Sequence, residues 1–87
     1  MGLTRSAALN YGAQGIRVNA VAPGPIMNDR ISSLSDEQRE PIAGAVPMRR
    51  IGEPDEVAAT VAWLCSEWAS YVTGAVVPVD GGQLAEI

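Results

Sequence analysis

The sequence contains no lysine and no histidine, only one cysteine, and no long uninterrupted apolar run. Each absence excludes a class of chemistry. Nucleic-acid phosphates are gripped by clustered Lys and Arg, and here six arginines stand against ten acidic residues for a formal charge of -4, so no nucleic-acid partner is expected. Arg49 and Arg50 are the one adjacent basic pair and read as a solvated or locally salt-bridged feature. Without histidine the commonest zinc ligand and the commonest general base are both missing, so metal-assisted hydrolysis and Ser-His catalysis are set aside and no metal ligand is assigned. Cys65 has no partner for an internal disulfide, and no charged start followed by an apolar stretch marks a signal peptide. A reducing, cytoplasmic setting is expected, with no membrane span.

What is present is the composition of a globular interior. The 87 residues are 47% hydrophobic and 18% charged, enough for one small domain with a limited core. Leu3, Ala7, Ala8 and Tyr11 fall on one stripe of a helix that Gly12 and Gly15 end, with Leu9 off the stripe and so open to a second covering element or chain. Residues 16–22 are apolar and rich in β-branched side chains, the pattern of a buried parallel strand, closed by Pro23 and Gly24. Residues 25–34 read as an irregular loop long enough to bind or cover a ligand. Ser35-Asp36-Glu37-Gln38 is a capping box for a short helix that Pro41 should bend or interrupt.

The clearest helix start is Gly52-Glu53-Pro54-Asp55-Glu56, with proline at the first helical position and acidic groups at the positive end of the dipole. Val57, Val61, Leu64, Cys65 and Trp68 repeat along one face of the helix that follows, Ala58 and Ala62 allow close approach, and Trp63 lies off that face. Cys65 therefore reads as a small core residue and not as a nucleophile. Residues 75–79 form a second buried strand, and Asp80-Gly81-Gly82 is its structural terminus. Helix, strand, loop, helix, strand is the order of a right-handed parallel α/β unit. Two parallel strands alone leave edges unpaired and apolar faces uncovered, so the unit reads as part of a larger sheet.

Five segments, GLTRSAAL (2–8 and Leu9), GIRVNAVAPGPI (15–26), RIGEPDEVAATVAWLCSE (50–67), SYVTG (70–74) and VDGG (79–82), resemble in order the closing segments of the short-chain dehydrogenase/reductase family. The resemblance implies an α/β fold, the C-terminal part of a Rossmann-like doubly wound parallel sheet. Residues 1–87 would form the C-terminal portion of one NAD(P)-binding domain, with no separate second domain. That family's Gly-rich dinucleotide fingerprint follows its first strand and has no counterpart here; Gly12-Ala13-Gln14-Gly15 is a helix stop. Its Tyr-x-x-x-Lys pair is also absent: Tyr11 is followed four positions on by Gly15 and Tyr71 by Ala75, in a chain without lysine. By the family's spacing Gly2 falls about five residues after that Lys, on the same helix. The catalytic Ser lies earlier still, so Ser6 and Ser70 are not assigned to it and the set of catalytic residues is empty.

The cofactor-binding residues assigned are Pro23, Gly24, Pro25, Ile26 and Asn28. Ligands of open parallel sheets collect at the carboxyl ends of strands, where Pro23-Gly24 lies. Gly24 lets backbone approach a flat ring, and the two prolines restrict the corner's shapes. Taken alone the corner is more often simply a strand-ending turn, and the surrounding match reverses that reading. The resemblance implies that it lies against the nicotinamide of NAD or NADP, with the Ile26 backbone hydrogen-bonding the carboxamide. Asn28 falls where many relatives carry a Thr that helps hold the cofactor, and its amide can donate and accept in a different geometry. Asn19, inside the strand, reads as structural.

The resemblance further implies an oxidoreductase acting on a small-molecule carbonyl or secondary alcohol, 3-oxoacyl reductase-like or sugar/alcohol dehydrogenase-like, the isolated chain being inactive. Residues 31–48 are similar to that family's substrate loop, in which Met27, Leu34, Ile42 and Met48 either wall the substrate or pack the loop. The first helix, last helix and last strand resemble oligomer surfaces, so a homo-oligomer, dimer or tetramer, is expected, with one of Trp63 and Trp68 facing a partner subunit. Two other readings stand beside this one: a non-catalytic interaction module that co-assembles with full-length relatives, and Met1 as an internal methionine of a longer chain.

Overall fold

The computed structural model describes residues 2–85. Its elements are α1 (Gly2–Tyr11), β1 (Ala20–Pro23), α2 (Asp29–Ser32), α3 (Asp36–Gly44), α4 (Pro54–Leu64) and β2 (Val76–Val79), with 3₁₀ turns after α1, α4 and β2. The two strands pair in parallel, Ala20 opposite Val76 and Pro23 opposite Val79, and α4 packs against both. The class is α/β, with a two-stranded parallel sheet as its centre. No helix is long and apolar enough to cross a membrane among the described residues.

β1 starts later than the apolar run suggests. Residues 16–19 run beside 72–75, but there side chains interleave with one backbone bond, Gly74 N–H to the Val18 carbonyl at 2.8 Å: Val18 N–H donates to Thr73 Oγ1 at 3.0 Å, Asn19 Nδ2 to the Val72 carbonyl at 2.9 Å, and Ala75 N–H to Asn19 Oδ1 at 3.0 Å. Asn19 is structural, as its burial within the run implies. At the other end Pro23 closes the strand, and the Gly24 N–H carries the ladder one step further to the Val79 carbonyl at 3.0 Å.

Each edge of this sheet carries one outward proline. The pairing of Ala20 and Gly24 with Ala75 and Val79 turns the peptide groups of Val21 outward on one edge and those of Val76 and Pro78 outward on the other. Pro78 is exposed and has no N–H, the device of a strand that ends a sheet. The Val21 edge carries the same block at its end, where Pro23 also faces outward without an N–H.

The loop expected at 25–34 contains α2, because Asn28 is its N-cap: Asn28 Oδ1 accepts from Ile31 N–H at 2.9 Å. The Ser35 capping box forms as expected, with Ser35 Oγ accepting from Gln38 N–H and Gln38 Oε1 from Ser35 N–H. Pro41 does not interrupt α3, which runs through to Gly44. Pro41 lies in the second turn of a short, largely exposed helix, where the carbonyl its missing N–H leaves without a helical partner belongs to the exposed Glu37. Arg39 ties the two helices together, donating to the Ile31 and Ser32 carbonyls at 3.0 and 2.6 Å.

α4 starts at Pro54 but ends at Leu64, four residues before the expected apolar stripe does. Ser66 stops it: its hydroxyl accepts from Trp68 N–H at 3.2 Å and donates to the Trp63 carbonyl at 2.7 Å, so the chain turns into a 3₁₀ segment, Glu67–Ala69. Arg17 holds this end, its guanidinium donating to the carbonyls of Leu64, Ser66 and Val72 at 2.8, 3.3 and 3.2 Å. Cys65 consequently lies at the C-cap and is exposed, not in the core. Trp68 swings out to 87% exposure while Ala69 is buried in its place.

The buried apolar residues are Ala8, Ile31, Val46, Leu64 and Ala69. On α1 only Ala8 of the expected stripe is buried; Leu3 and Tyr11 are exposed, as is Leu9. The radius of gyration is 15.6 Å and the extents 51 × 27 × 20 Å, against about 12 Å for a compact domain of this length. Apolar surface prepared by the sequence is thus left uncovered on α1 and beyond α4.

Candidate cofactor site at the Pro-Gly-Pro corner

Pro23, Gly24, Pro25, Ile26 and Asn28 line one open hollow of about 500 Å³, completed by Arg30 and Ile31 of α2 and by Pro54 and Val57 of α4. The corner reaches this position through contacts with two other segments. Gly52, just before α4, donates its N–H to the Pro25 carbonyl at 2.9 Å and accepts from Met27 N–H at 2.8 Å, a parallel bridge opposite Ile26. Because both bonds go to the residues flanking Ile26, the N–H and carbonyl of Ile26 itself point the other way. Neither has a backbone partner among the described residues.

Gly24 is required for a reason the sequence did not disclose. A Cβ at Gly24 would lie 2.8 Å from the Asp80 Cα and 2.7 Å from its Cβ. The side of Gly24 expected to face a flat ring is occupied by the end of β2, so the strand ends pack backbone to backbone. Asp80 in turn shapes its own turn, its carboxylate accepting from Gly82 and Leu84 N–H, each at 3.0 Å. Gly81 (φ 63°) donates no side chain into Val46, and its carbonyl accepts from Met48 N–H at 3.1 Å. Asp80-Gly81-Gly82 is a structural terminus, as read from the sequence.

Asn28 uses Oδ1 for the α2 cap, which leaves Nδ2 as the group available to a ligand. Of the apolar residues considered for a substrate wall, Met48 is 58% exposed, while Met27, Leu34 and Ile42 are half-buried. The residues that pack this excursion down are Ile31 and Val46.

Behind the corner the arginine pair read as solvated or locally salt-bridged has one member, Arg50, in a salt bridge, and its partner is Glu56. Arg50 Nη1 and Nη2 donate to Glu56 Oε1 and Oε2, both at 2.7 Å, and Glu56 Oε1 also accepts from Glu53 N–H at 2.9 Å. These bonds hold the Glu56 carboxyl down at about 2, below the usual carboxylate range, first through the guanidinium and next through the Glu53 amide. They raise Arg50. With Pro25, Ile26, Gly52 and Asp80 the pair encloses a smaller cavity of about 150 Å³. The spacing of Arg50 and Glu56 across a Gly-x-Pro helix start was the available signal. Among the described residues no cluster of acidic or cysteine side chains could hold a metal.

Residues 1–83 match the protein family described as enoyl-(acyl carrier protein) reductase. The chain belongs to the short-chain dehydrogenase/reductase family. It is 52% identical over 81 residues to protein FixR of Bradyrhizobium diazoefficiens, covering 93% of this chain and 28% of that protein. It is 51% identical over 82 residues to glucose 1-dehydrogenase 2 of Bacillus subtilis, with coverages of 93% and 32%. To the 3-oxoacyl-[acyl-carrier-protein] reductase FabG of Pseudomonas aeruginosa it is 48% identical over 82 residues, with 94% and 33%. The chain thus spans about a third of the length of these short-chain dehydrogenase/reductase relatives.

Proposed function

We propose that this chain is the C-terminal part of an NAD(P)-dependent oxidoreductase of the short-chain dehydrogenase/reductase family, completing one doubly wound Rossmann domain and contributing the nicotinamide end of its cofactor site. The observation that carries the reading is the convergence of Pro23, Gly24, Pro25, Ile26 and Asn28 on one hollow, with the Ile26 peptide group left unpaired beside it. A nicotinamide carboxamide has one acceptor and one donor, which fit the Ile26 N–H and carbonyl. Asn28 Nδ2 is a further donor. When bound, NAD or NADP supplies hydride exchange with a carbonyl or secondary alcohol carbon, and this chain's part is to seat and orient the ring.

The proton-handling residues of the reaction lie outside this chain. With no lysine, no Tyr-x-x-x-Lys pair is possible here, and Tyr71 is fully exposed away from the corner. The isolated chain therefore has no turnover. Incubation with NADH or NADPH and a panel of ketones is expected to show no oxidation above the blank, and a protein-dependent rate surviving repurification overturns this. The parent substrate class is a small carbonyl or alcohol, supported by relatives named for a glucose dehydrogenase and a 3-oxoacyl reductase. A cytoplasmic setting accords with the free thiol of Cys65. Reading the coding DNA upstream in frame tests the placement: an open frame carrying Tyr-x-x-x-Lys supports it, and an immediate stop codon refutes it.

A second reading is favoured by Trp63 and Trp68, 47% and 87% exposed. The piece would serve as an interaction module that joins full-length relatives in a homo-oligomer-like dimer or tetramer. Mixing it with an intact relative and sizing the product decides, since absence of any mixed species removes the reading.

A further inference from the structure

We infer that Arg50 and Glu56 act together as a positioning device for the Ile26 peptide group, and so determine whether the corner distinguishes a carboxamide-bearing nicotinamide from a ring lacking the amide. The inference rests on the cofactor reading above.

Opposite Ile26 the corner is bridged by Gly52, which makes both bonds of the bridge. Gly52 lies between the residues that the Glu56 carboxylate gathers. Arg50 is held on one side by two parallel bonds, and Glu53 N–H on the other by a third. Gly52 packs closely on the corner, the direction of its missing Cβ pointing at the Ile26 Cδ1 methyl. A bidentate guanidinium-carboxylate pair fixes orientation as well as distance. Arg50 and Glu56 side chains are 49% and 43% exposed, so their attraction adds little to overall stability, and what the pair supplies is geometry.

Rotation of residues 50–53 would turn the Gly52 N–H and carbonyl away from Pro25 and Met27. The Ile26 peptide group, fixed only through those two neighbours, would turn with them. A carboxamide uses both of its groups: the Ile26 N–H donates to its oxygen, and the Ile26 carbonyl accepts from its nitrogen. An acetyl substituent keeps only the first bond. A correctly held Ile26 therefore prefers the amide by about fivefold to tenfold, the worth of one hydrogen bond. A rotated one has no preference.

The test uses the 87-residue chain, isotope-labelled and titrated with NADH, NADPH and their 3-acetylpyridine counterparts, following the Ile26 amide resonance. Wild type is expected to prefer the nicotinamide forms by about fivefold or more. Glu56→Gln keeps an acceptor for Glu53 N–H, and Arg50→Lys keeps the charge, but both lose the paired fork; in both the preference should fall to near unity. Circular dichroism on the same samples reports the folded fraction, and if Glu56→Gln unfolds the chain, Arg50→Lys decides. No response of Ile26 in wild type to any nucleotide overturns the cofactor reading and this inference with it. A wild-type preference preserved in the variants overturns the positioning role alone. Affinities for both ring types that fall together with the folded fraction, the preference intact, also overturn it.

Discussion

Glycines 24 and 15 look alike in the sequence, each next to a strand, yet the structure requires them for different reasons. At Gly15, with φ 78° and open space around the missing Cβ, only backbone conformation is at stake. Gly15→Ala is expected to lower the unfolding free energy by about 1 kcal/mol. At Gly24 the added methyl would strike the Asp80 backbone, and Gly24→Ala should cost about 1–3 kcal/mol or separate the strand ends. Urea titration of the two variants side by side checks the order, and equal losses would sink the packing argument. The Pro-Gly-Pro corner itself was legible because its residues are adjacent in the chain. The Asp80 contact was not, since it joins positions far apart whose approach depends on strand register. Asn28 was singled out for a cofactor contact; that it also caps α2 could have been read from the Asn-Asp pair ahead of Ile31.

At the scale of elements, sequence pattern located α1, α3, α4 and both strands, missed α2 inside the loop expected at 25–34, and misplaced ends where a side chain outcompeted the backbone ladder. Asn19 and Thr73 shorten β1, and Ser66 with Arg17 shortens α4. Periodicity counts apolar positions and is blind to such substitutes. Arg17→Met, which retains the aliphatic length but none of the donors, should destabilise the chain by about 1–3 kcal/mol. Amide exchange should quicken in the last turn of α4 ahead of its first. The start of α4 depends on acid. Because the Glu56 carboxyl is lowered to about 2 by Arg50 and the Glu53 amide, its contribution is complete above the ordinary carboxylate range. It is lost as pH falls toward 2. Glu56→Gln should remove that part of the acid dependence, seen as a flatter curve of unfolding midpoint between about pH 5 and pH 2.

For the whole molecule, 15.6 Å against the compact expectation, and only five buried apolar residues among those described, mean apolar faces without cover. The sequence announced this through apolar stripes on both helices and too few strands, and the structure agrees by leaving Leu3, Leu9 and Trp68 in solvent. Which surface each stripe meets was beyond the sequence, because a stripe specifies burial without specifying a partner. The isolated chain should consequently unfold at low denaturant, with a shallow slope for its length. A steep, high-midpoint transition at low micromolar concentration would point instead to tight self-association.

The prolines of the sheet also bear on how the chain behaves when handled alone. Pro78 removes an N–H from one outward edge and Pro23 from the other, so neither side is a complete template for a further strand. Concentrated samples should accordingly resist fibre growth, and Pro23→Val or Pro78→Val, each restoring one donor, should promote it.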